Sequence, residues 1–449
     1  MEESPNGKPG LQAEGRCRRR VAAVSAPALS ACRLTLAGVM DAEGRVDESR
    51  LRGHIFRNGG VTPSERGLAW RFLFGMYPCS STALERSFLQ EQLLVRYRVM
   101  KKKWQQFLPS TVRLQLNGTD AELFAAVRYF DEREAQTLQE AQDQSEEVKD
   151  RLAFLELQAQ ILFERVKFDL EELREAIRII DKDVPRTNRD LSYYQEEGLG
   201  NLLVLRNILI TYAAFHPEVG YAQGMNDLCS RFLEVLDCEV DTFWSFSCYM
   251  EKFSRDFMAD GLHRKIELEA ALLKELDPPL YAHLVRDNME RFTFCHRWLL
   301  LGFQREFKHS DALRLFEILS CDHLELISQK VDRARYQERL DQKHCTDGSE
   351  SPQQTFNTDF TFELFICAAV LLDNRESLLH CRDDVQLIQF TSSLQGRLDL
   401  NSTLKKAESH FYNYCKRCAW DYMNGHRRAN SIKDEDFFYQ LRSLFILKR

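Results

Sequence analysis

An all-α fold is predicted by three features of the chain. Only 20 Gly and 11 Pro punctuate its 449 residues, no clear run alternates apolar with polar residues as a half-buried strand would, and apolar residues recur at helical spacing throughout. With 44% hydrophobic residues, the chain can bury a large core, divided into two or three units or gathered into one large helical domain. No segment repeats at a fixed period, which argues against a regular solenoid.

The elements follow in order. Residues 1–45, rich in Ser, Ala, Gly and Arg, read as a disordered tail, and the stretch from Val46 to Phe56 leads to a break at Asn58-Gly59-Gly60-Val61-Thr62-Pro63. Packed structure is expected from there, with Thr62 or Ser64 capping a helix that carries Trp70, Phe72, Leu73 and Phe74 and ends at Tyr77-Pro78. Lys101-Lys102-Lys103 reads as a solvated basic face, with contact to lipid or an acidic protein patch as the rival. Residues 131–150, dense in Glu, Asp and Gln, read as a solvated, helix-prone insertion. Apolar residues from Phe154 to Ile180 recur at helix-like intervals, over one helix or more.

Leu202 to Phe215 is apolar on nearly every side and stops at His216-Pro217, which places it at the centre of a bundle. Asp241 and Asp277-Pro278-Pro279 look like helix starts, and Phe292 to Phe307 reads as another buried helix around Trp298. Residues 341–358 have the composition of a mobile loop, after which the core resumes at Phe360. The expected organisation is a tail over 1–45, one helical domain over 46–420 and a C-terminal extension over 421–449.

Composition excludes several functions. A formal net charge of −7 offers no global basic field, so nucleic acid is not an expected partner. The 13 cysteines are scattered, and the opening Met1-Glu-Glu-Ser is acidic, so reduced thiols and a cytoplasmic location are expected. Cys415-Lys416-Arg417-Cys418 is a lone pair without the second pair that a zinc site needs, so no metal is expected. No GxxxxGK[ST] or GxGxxG segment occurs, so the chain is not expected to bind nucleotide itself. The most apolar windows are shorter than a membrane span of about 20 residues.

Two segments carry the chemistry. In Ile180-Asp181-Lys182-Asp183-Val184-Pro185-Arg186, Pro185 disfavours helical geometry at Val184, so Arg186 falls on a turn. Asp183 can hold its guanidinium in one pose through a charge-assisted contact. In Gly220-Tyr221-Ala222-Gln223-Gly224-Met225-Asn226-Asp227, the glycines permit a tight bend that presents Gln223. Taken singly, the first is an ordinary solvated arginine and the second an ordinary loop residue.

Together they resemble a known family. Ile180-x-x-Asp183-x-x-Arg186 followed by Tyr221-x-Gln223-Gly224-Met225 is similar to the double fingerprint of TBC-domain Rab GTPase-activating proteins. Gly59-Gly60-Val61-Thr62-Pro63 with Arg66 and Trp70 resembles the family's opening motif. Cys295-His296-Arg297-Trp298 and Ala312-Leu313-Arg314-Leu315-Phe316-Glu317 resemble its second half. The likeness runs from about Ile55 to Leu372. Ala222 departs from the family's usual cysteine and Phe316 from its usual tryptophan, and neither departure touches the expected chemistry.

The resemblance implies a two-lobed, all-helical domain that activates GTP hydrolysis inside a partner, a GTP-bound Rab-family small GTPase, and has no substrate pocket of its own. Arg186 would be an arginine finger and Gln223 a glutamine finger that aims the attacking water, both supplied in trans. Asp183 would orient the finger, Tyr221, Gly224 and Met225 would shape the loop, and Asn226 or Asp227 would cap the next helix. No cofactor is implied, because GTP and Mg²⁺ travel with the partner. Membrane or adaptor contact would be peripheral, on endosomal or autophagic vesicles. A module of the same fold that binds a Rab or adaptor without accelerating hydrolysis is the alternative.

Overall fold

The computed structural model describes residues 36–107, 116, 120–142, 145–286, 292–324 and 360–425. Among these the regular structure is helical, and β-type pairing is confined to the isolated bridges Met40–Val46 and Phe307–Leu398. The all-α expectation holds. The tail up to residue 35, the loop over 341–358 and residues beyond 425 lie outside the described residues.

The helix α7, Asn201–Phe215, occupies the centre, because almost every side chain it carries is apolar and buried. Around it pack α3 (Ala83–Gln105), α4 (Asp120–Gln142), α6 (Leu170–Asp183), α8 (Met225–Leu236) and α9 (Glu239–Phe253). Its few polar groups find partners: Arg206 pairs with Asp181 of α6 at 2.5 Å, and Thr211 Oγ1 accepts from Trp104 Nε1 at 2.8 Å. Such pairing offsets the desolvation that buried polar atoms otherwise suffer.

At the other side of the bundle α1 (Glu48–Asn58) ends at Gly59, whose φ of +68° suits glycine. The chain then enters α2 (Arg66–Leu73). Glu317 of α13 (His309–Ser320) is fully buried and accepts from Arg66 Nε, Trp70 Nε1 and the Val61 amide, which ties the opening motif to the second half of the chain. Trp70 sits edge-on to Phe74 and Phe232, and Phe316 stacks on Phe74 at 5.2 Å.

The later helices are α5 (Glu146–Glu164), α10 (Ala259–Leu276), α11 (Pro278–Leu284), α12 (His296–Leu301), α14 (Phe362–Asp373), α15 (Arg375–His380), α16 (Asp384–Ser393) and α17 (Leu400–Gly425). Asp277 caps α11 as its sequence suggests, accepting from the Leu280 amide at 3.0 Å. Phe365 of α14 meets Phe411 of α17 edge-on at 5.1 Å.

Several expectations change. Packed structure starts earlier than the Gly59-Gly60 break, since Leu36, Val39, Leu51 and Ile55 are buried. The acidic stretch over 131–150 is helical and, among its described residues, mostly exposed, as expected, but it is not a detached insertion. It spans the end of α4 and the start of α5, and α5 lies along α3, burying Val148, Leu152 and Ala159 against Val95. Lys101 is buried too, bonded to Asp131 at 3.0 Å and to Glu239 at 2.9 Å, so the acidic residues balance a buried cation. Lys103 donates to the carbonyls of Phe163, Glu164 and Val166 at the end of α5, which leaves Lys102 as the exposed member of the run.

Asp241 does not start a helix. It sits in the first turn of α9 and pairs with Arg71 at 2.5 Å. Neither Thr62 nor Ser64 caps α2, because the chain enters that helix from Glu65 in right-handed geometry. The stretch from Phe292 to Phe307 holds a 3₁₀ turn over Thr293–Cys295 and the short α12, since Phe292, Gly302 and Phe303 adopt left-handed φ values of 60°, 57° and 57° that no continuous helix tolerates. Residue 421 marks no boundary, as α17 runs on to Gly425.

Candidate functional site

The site grows from the end of α6. Asp169 starts that helix by accepting from the amides of Glu171 and Glu172, and Leu173, Ile177 and Ile180 bury one face, so the register of the last turn is fixed. Val184 keeps right-handed helical angles despite Pro185, and the chain tightens into a single 3₁₀ turn over Val184–Arg186 before Thr187 turns extended. Asp183 therefore points into the protein and Arg186 out of it, with side-chain exposures of 4% and 61%. The two remain joined, since Arg186 Nη2 donates to Asp183 Oδ1 at 2.5 Å.

The second loop follows α7. Gly220 has a φ of +64° and Gly224 a φ of +104°, so both bends lie where a side chain is strained. A Cβ on Gly224 would also come within 3.2 Å of Leu301. Between them, the Ala222 amide lies 3.4 Å from Met225 Sδ, which folds the loop over its own buried methionine. Gln223 is left exposed at the tip, and among the described residues no hydrogen bond engages its side chain.

The two loops share one buried carboxylate. Tyr221 donates its phenol proton to Asp183 Oδ2 at 2.9 Å, while the other oxygen holds Arg186. Burial and the adjacent Asp183 carboxylate push the Tyr221 phenol far up, so it stays a donor. Asn226 closes a second link: its Oδ1 accepts from the Gly224 amide at 3.1 Å, and its Nδ2 donates to Thr187 Oγ1 at 2.8 Å, which in turn donates to the Asp183 carbonyl. Every sequence-derived site residue, Asp183, Arg186, Tyr221, Gln223, Gly224 and Met225, thus falls on two loops that the Asp183 side chain joins.

The capping role foreseen for Asn226 or Asp227 is replaced. Gly224 occupies the N-cap of α8 without any side-chain bond, Asn226 cross-links the loops, and Asp227 pairs with Arg305 at 3.3 Å. Burial raises the Asp227 carboxyl above its usual range, against the pull of Arg305 and Arg231. Thr187 and Asn188 were missed. Both are short polar residues beside a proline turn, and nothing local distinguishes them from ordinary turn formers.

Arg186 and Gln223 line neither of two prominent clefts, of about 770 Å³ between α3 and the α4–α5 pair and about 470 Å³ beside α9, α12 and α14. They project instead. Among the described residues, no group of three or more His, Cys, Asp and Glu converges as metal ligands, and no helix is long and apolar enough to cross a membrane. The side chains of Cys415 and Cys418 lie outside the described ones.

Comparison with known proteins agrees with the fold. Residues 136–331 match the Rab-GTPase-TBC domain. GTPase-activating protein GYP7 of Yarrowia lipolytica is 27% identical over 388 residues, covering 83% of this chain and 42% of the relative. Human TBC1 domain family member 17 is 30% identical over 282 residues, covering 62% of this chain and 35% of the relative. The chain thus spans less than half the length of these relatives. The crystal structure of the Ypt/Rab-GAP domain of Gyp1p superposes with a TM-score of 0.54 at 17% identity, covering 84% of this chain and 96% of that domain, and supports the fold alone.

Proposed function

We propose, from the premise that the chain belongs to the Rab-GTPase-TBC domain family, that it accelerates GTP hydrolysis by a GTP-bound Rab-family GTPase through Arg186 and Gln223. In phosphoryl transfer, negative charge spreads over the γ-phosphate oxygens, and catalysis comes from positioning and charge neutralisation. A forked guanidinium suits that task because it meets two oxygens at once. The amide of Gln223 can hold the attacking water with its oxygen while its NH₂ contacts the phosphate.

One observation carries this reading: an exposed arginine and the loop of an exposed, unengaged glutamine hang on the same buried carboxylate. A surface ion pair would need no such support. The partner brings GTP and Mg²⁺, and this chain contributes two fingers and the rigid bundle behind them. Its place would be the cytoplasmic face of endosomal or autophagic vesicles, reached through peripheral or adaptor contacts.

The test is multiple-turnover hydrolysis against a panel of GTP-loaded Rab proteins. Acceleration of at least one Rab, lost by about 10³-fold or more in Arg186→Ala and strongly reduced in Gln223→Ala, is the expected result. Binding of a Rab without acceleration, or an Arg186→Ala variant as active as the parent, sinks the proposal.

A further inference from the structure

Asp183 braces Arg186 from the helix side, and a separate set of contacts holds the chain two residues beyond it. Asn188 has a φ of +42°, a left-handed conformation that asparagine enters more readily than most side chains. Its amide is engaged at both ends. Asn188 Nδ2 donates to Ser230 Oγ of α8 at 2.7 Å, and Asn188 Oδ1 accepts from Gln304 Nε2 at 3.2 Å. Ser230 in turn donates to the Asp227 carbonyl at 2.8 Å.

Gln304 reaches this point because the chain reverses through two left-handed residues, Gly302 and Phe303, just after α12. The Gln304 amide oxygen is itself fixed, accepting from Arg231 Nη2 at 2.6 Å. Arg231 is almost completely buried, donates also to the Leu301 carbonyl and lies over the Phe316 ring at 4.7 Å. Desolvation lowers its pKa to about 10, so it stays charged at neutral pH and its bond to Gln304 is charge-assisted. The chain of contacts runs from a buried cation through Gln304 to the turn that follows the exposed arginine.

We propose that Asn188 and Gln304, held by Arg231, are positioning residues for Arg186, fixing the C-terminal side of its loop as Asp183 fixes the N-terminal side. The inference rests on the function proposed above for its catalytic consequence, but its structural half does not. A finger held at both flanks cannot swing with its backbone, so the guanidinium searches few conformations when it meets the γ-phosphate. Neither residue touches the reacting atoms.

Two measurements on the full chain decide it. Asn188→Gly keeps a residue at ease in the left-handed region while deleting the amide, Gln304→Met keeps the volume without the hydrogen bonds, and Asn188→Asp keeps the acceptor for Gln304 and accepts from Ser230 once that hydroxyl turns from the Asp227 carbonyl. Hydrogen exchange over residues 184–191, which contain the Thr187 amide bond to Val184 and the Leu191 amide bond to Asn188, is measured without any Rab. The expected result is exchange about tenfold faster in Asn188→Gly and Gln304→Met and close to the parent in Asn188→Asp.

With the Rab that responds best in the panel, kcat should fall about 10- to 100-fold in the first two variants with KM within about twofold, and Asn188→Asp should restore it. Parent-like exchange and kcat in Asn188→Gly overturn the inference, as does a loss confined to KM or an Asn188→Asp variant as impaired as Asn188→Gly. If the parent accelerates no Rab while the exchange differences persist, the failure belongs to the proposed activity and the brace stands.

Discussion

Replacing Asp183 by Asn separates the support of the arginine from the arginine itself. In the native site one carboxylate oxygen takes Arg186 at 2.5 Å and the other takes the Tyr221 phenol at 2.9 Å. Asparagine offers one acceptor and one donor in the same space. If its oxygen faces Tyr221, its NH₂ faces the guanidinium, and the charge-assisted bond is gone. Such bonds contribute about 1.5–3 kcal/mol, but Arg186 is 61% exposed, so solvent screening brings this one to about 1 kcal/mol.

At about 1.4 kcal/mol per tenfold change, Asp183→Asn should lower kcat roughly fivefold with KM nearly unchanged. Arg186→Ala should cost about 10³-fold or more. Steady-state hydrolysis with the responsive Rab, read alongside the melting temperature of each variant, gives both numbers. A loss in Asp183→Asn as large as that in Arg186→Ala, without unfolding, refutes an orienting role. A gain in rate would mean that the ion pair restrains the arginine and must break for catalysis.

Arg186→Lys should recover little of the activity lost in Arg186→Ala, because an ammonium lacks the planar fork, and comparing kcat for the two variants checks this. Gly224→Ala places a Cβ at φ +104° and 3.2 Å from Leu301, so the melting temperature should fall and kcat should drop with it as Gln223 is redirected. Lys101→Met leaves Glu239 buried without its cation, and such losses cost about 3–5 kcal/mol, which denaturant titration would show as an earlier midpoint with an unchanged slope. Burial, with Glu239 and Asp131 nearby, pushes the Glu134 carboxyl up to about 8, so the folded state holds a proton that the unfolded state has released between the ordinary Glu range and pH 8. Stability contributed by that proton is present at low pH and lost as pH rises through 8, so Glu134→Gln should raise the melting temperature increasingly from pH 5 to 8 and by a constant amount above.

The parts of the fold legible in the sequence are those whose signal is local. The stretch over Asn201–Phe215 is apolar on nearly every face, and a helix of that kind has nowhere to go but the centre. Trp70 and Trp298, large aromatic side chains, are likewise fully buried. What misled was charge. Residues 131–150 read as a separate insertion because composition cannot reveal that Lys101, 30 positions before Asp131, lies buried between that carboxylate and Glu239. Asp241 looked like a cap because its partner, Arg71, is 170 positions away.

The candidate site divides along the same line. Glycines at 220 and 224 and a proline at 185 announce bends, so the loops that carry Arg186 and Gln223 were visible. Asp183 and Tyr221, which join those bends, were legible as well, whereas the contacts that reinforce the join were not. Thr187, Asn188, Asn226, Ser230 and Gln304 are individually unremarkable polar residues, and each is tied to a partner from 39 to 116 positions distant, as in the bonds from Asn226 to Thr187 and from Gln304 to Asn188. This asymmetry follows from how such a site works. Side chains that must meet a partner's phosphate are exposed and identifiable by chemistry, whereas the groups that hold them still must be buried and satisfied by long-range closure of the chain. Their loss should therefore register first in loop exchange and kcat, and only later in global stability.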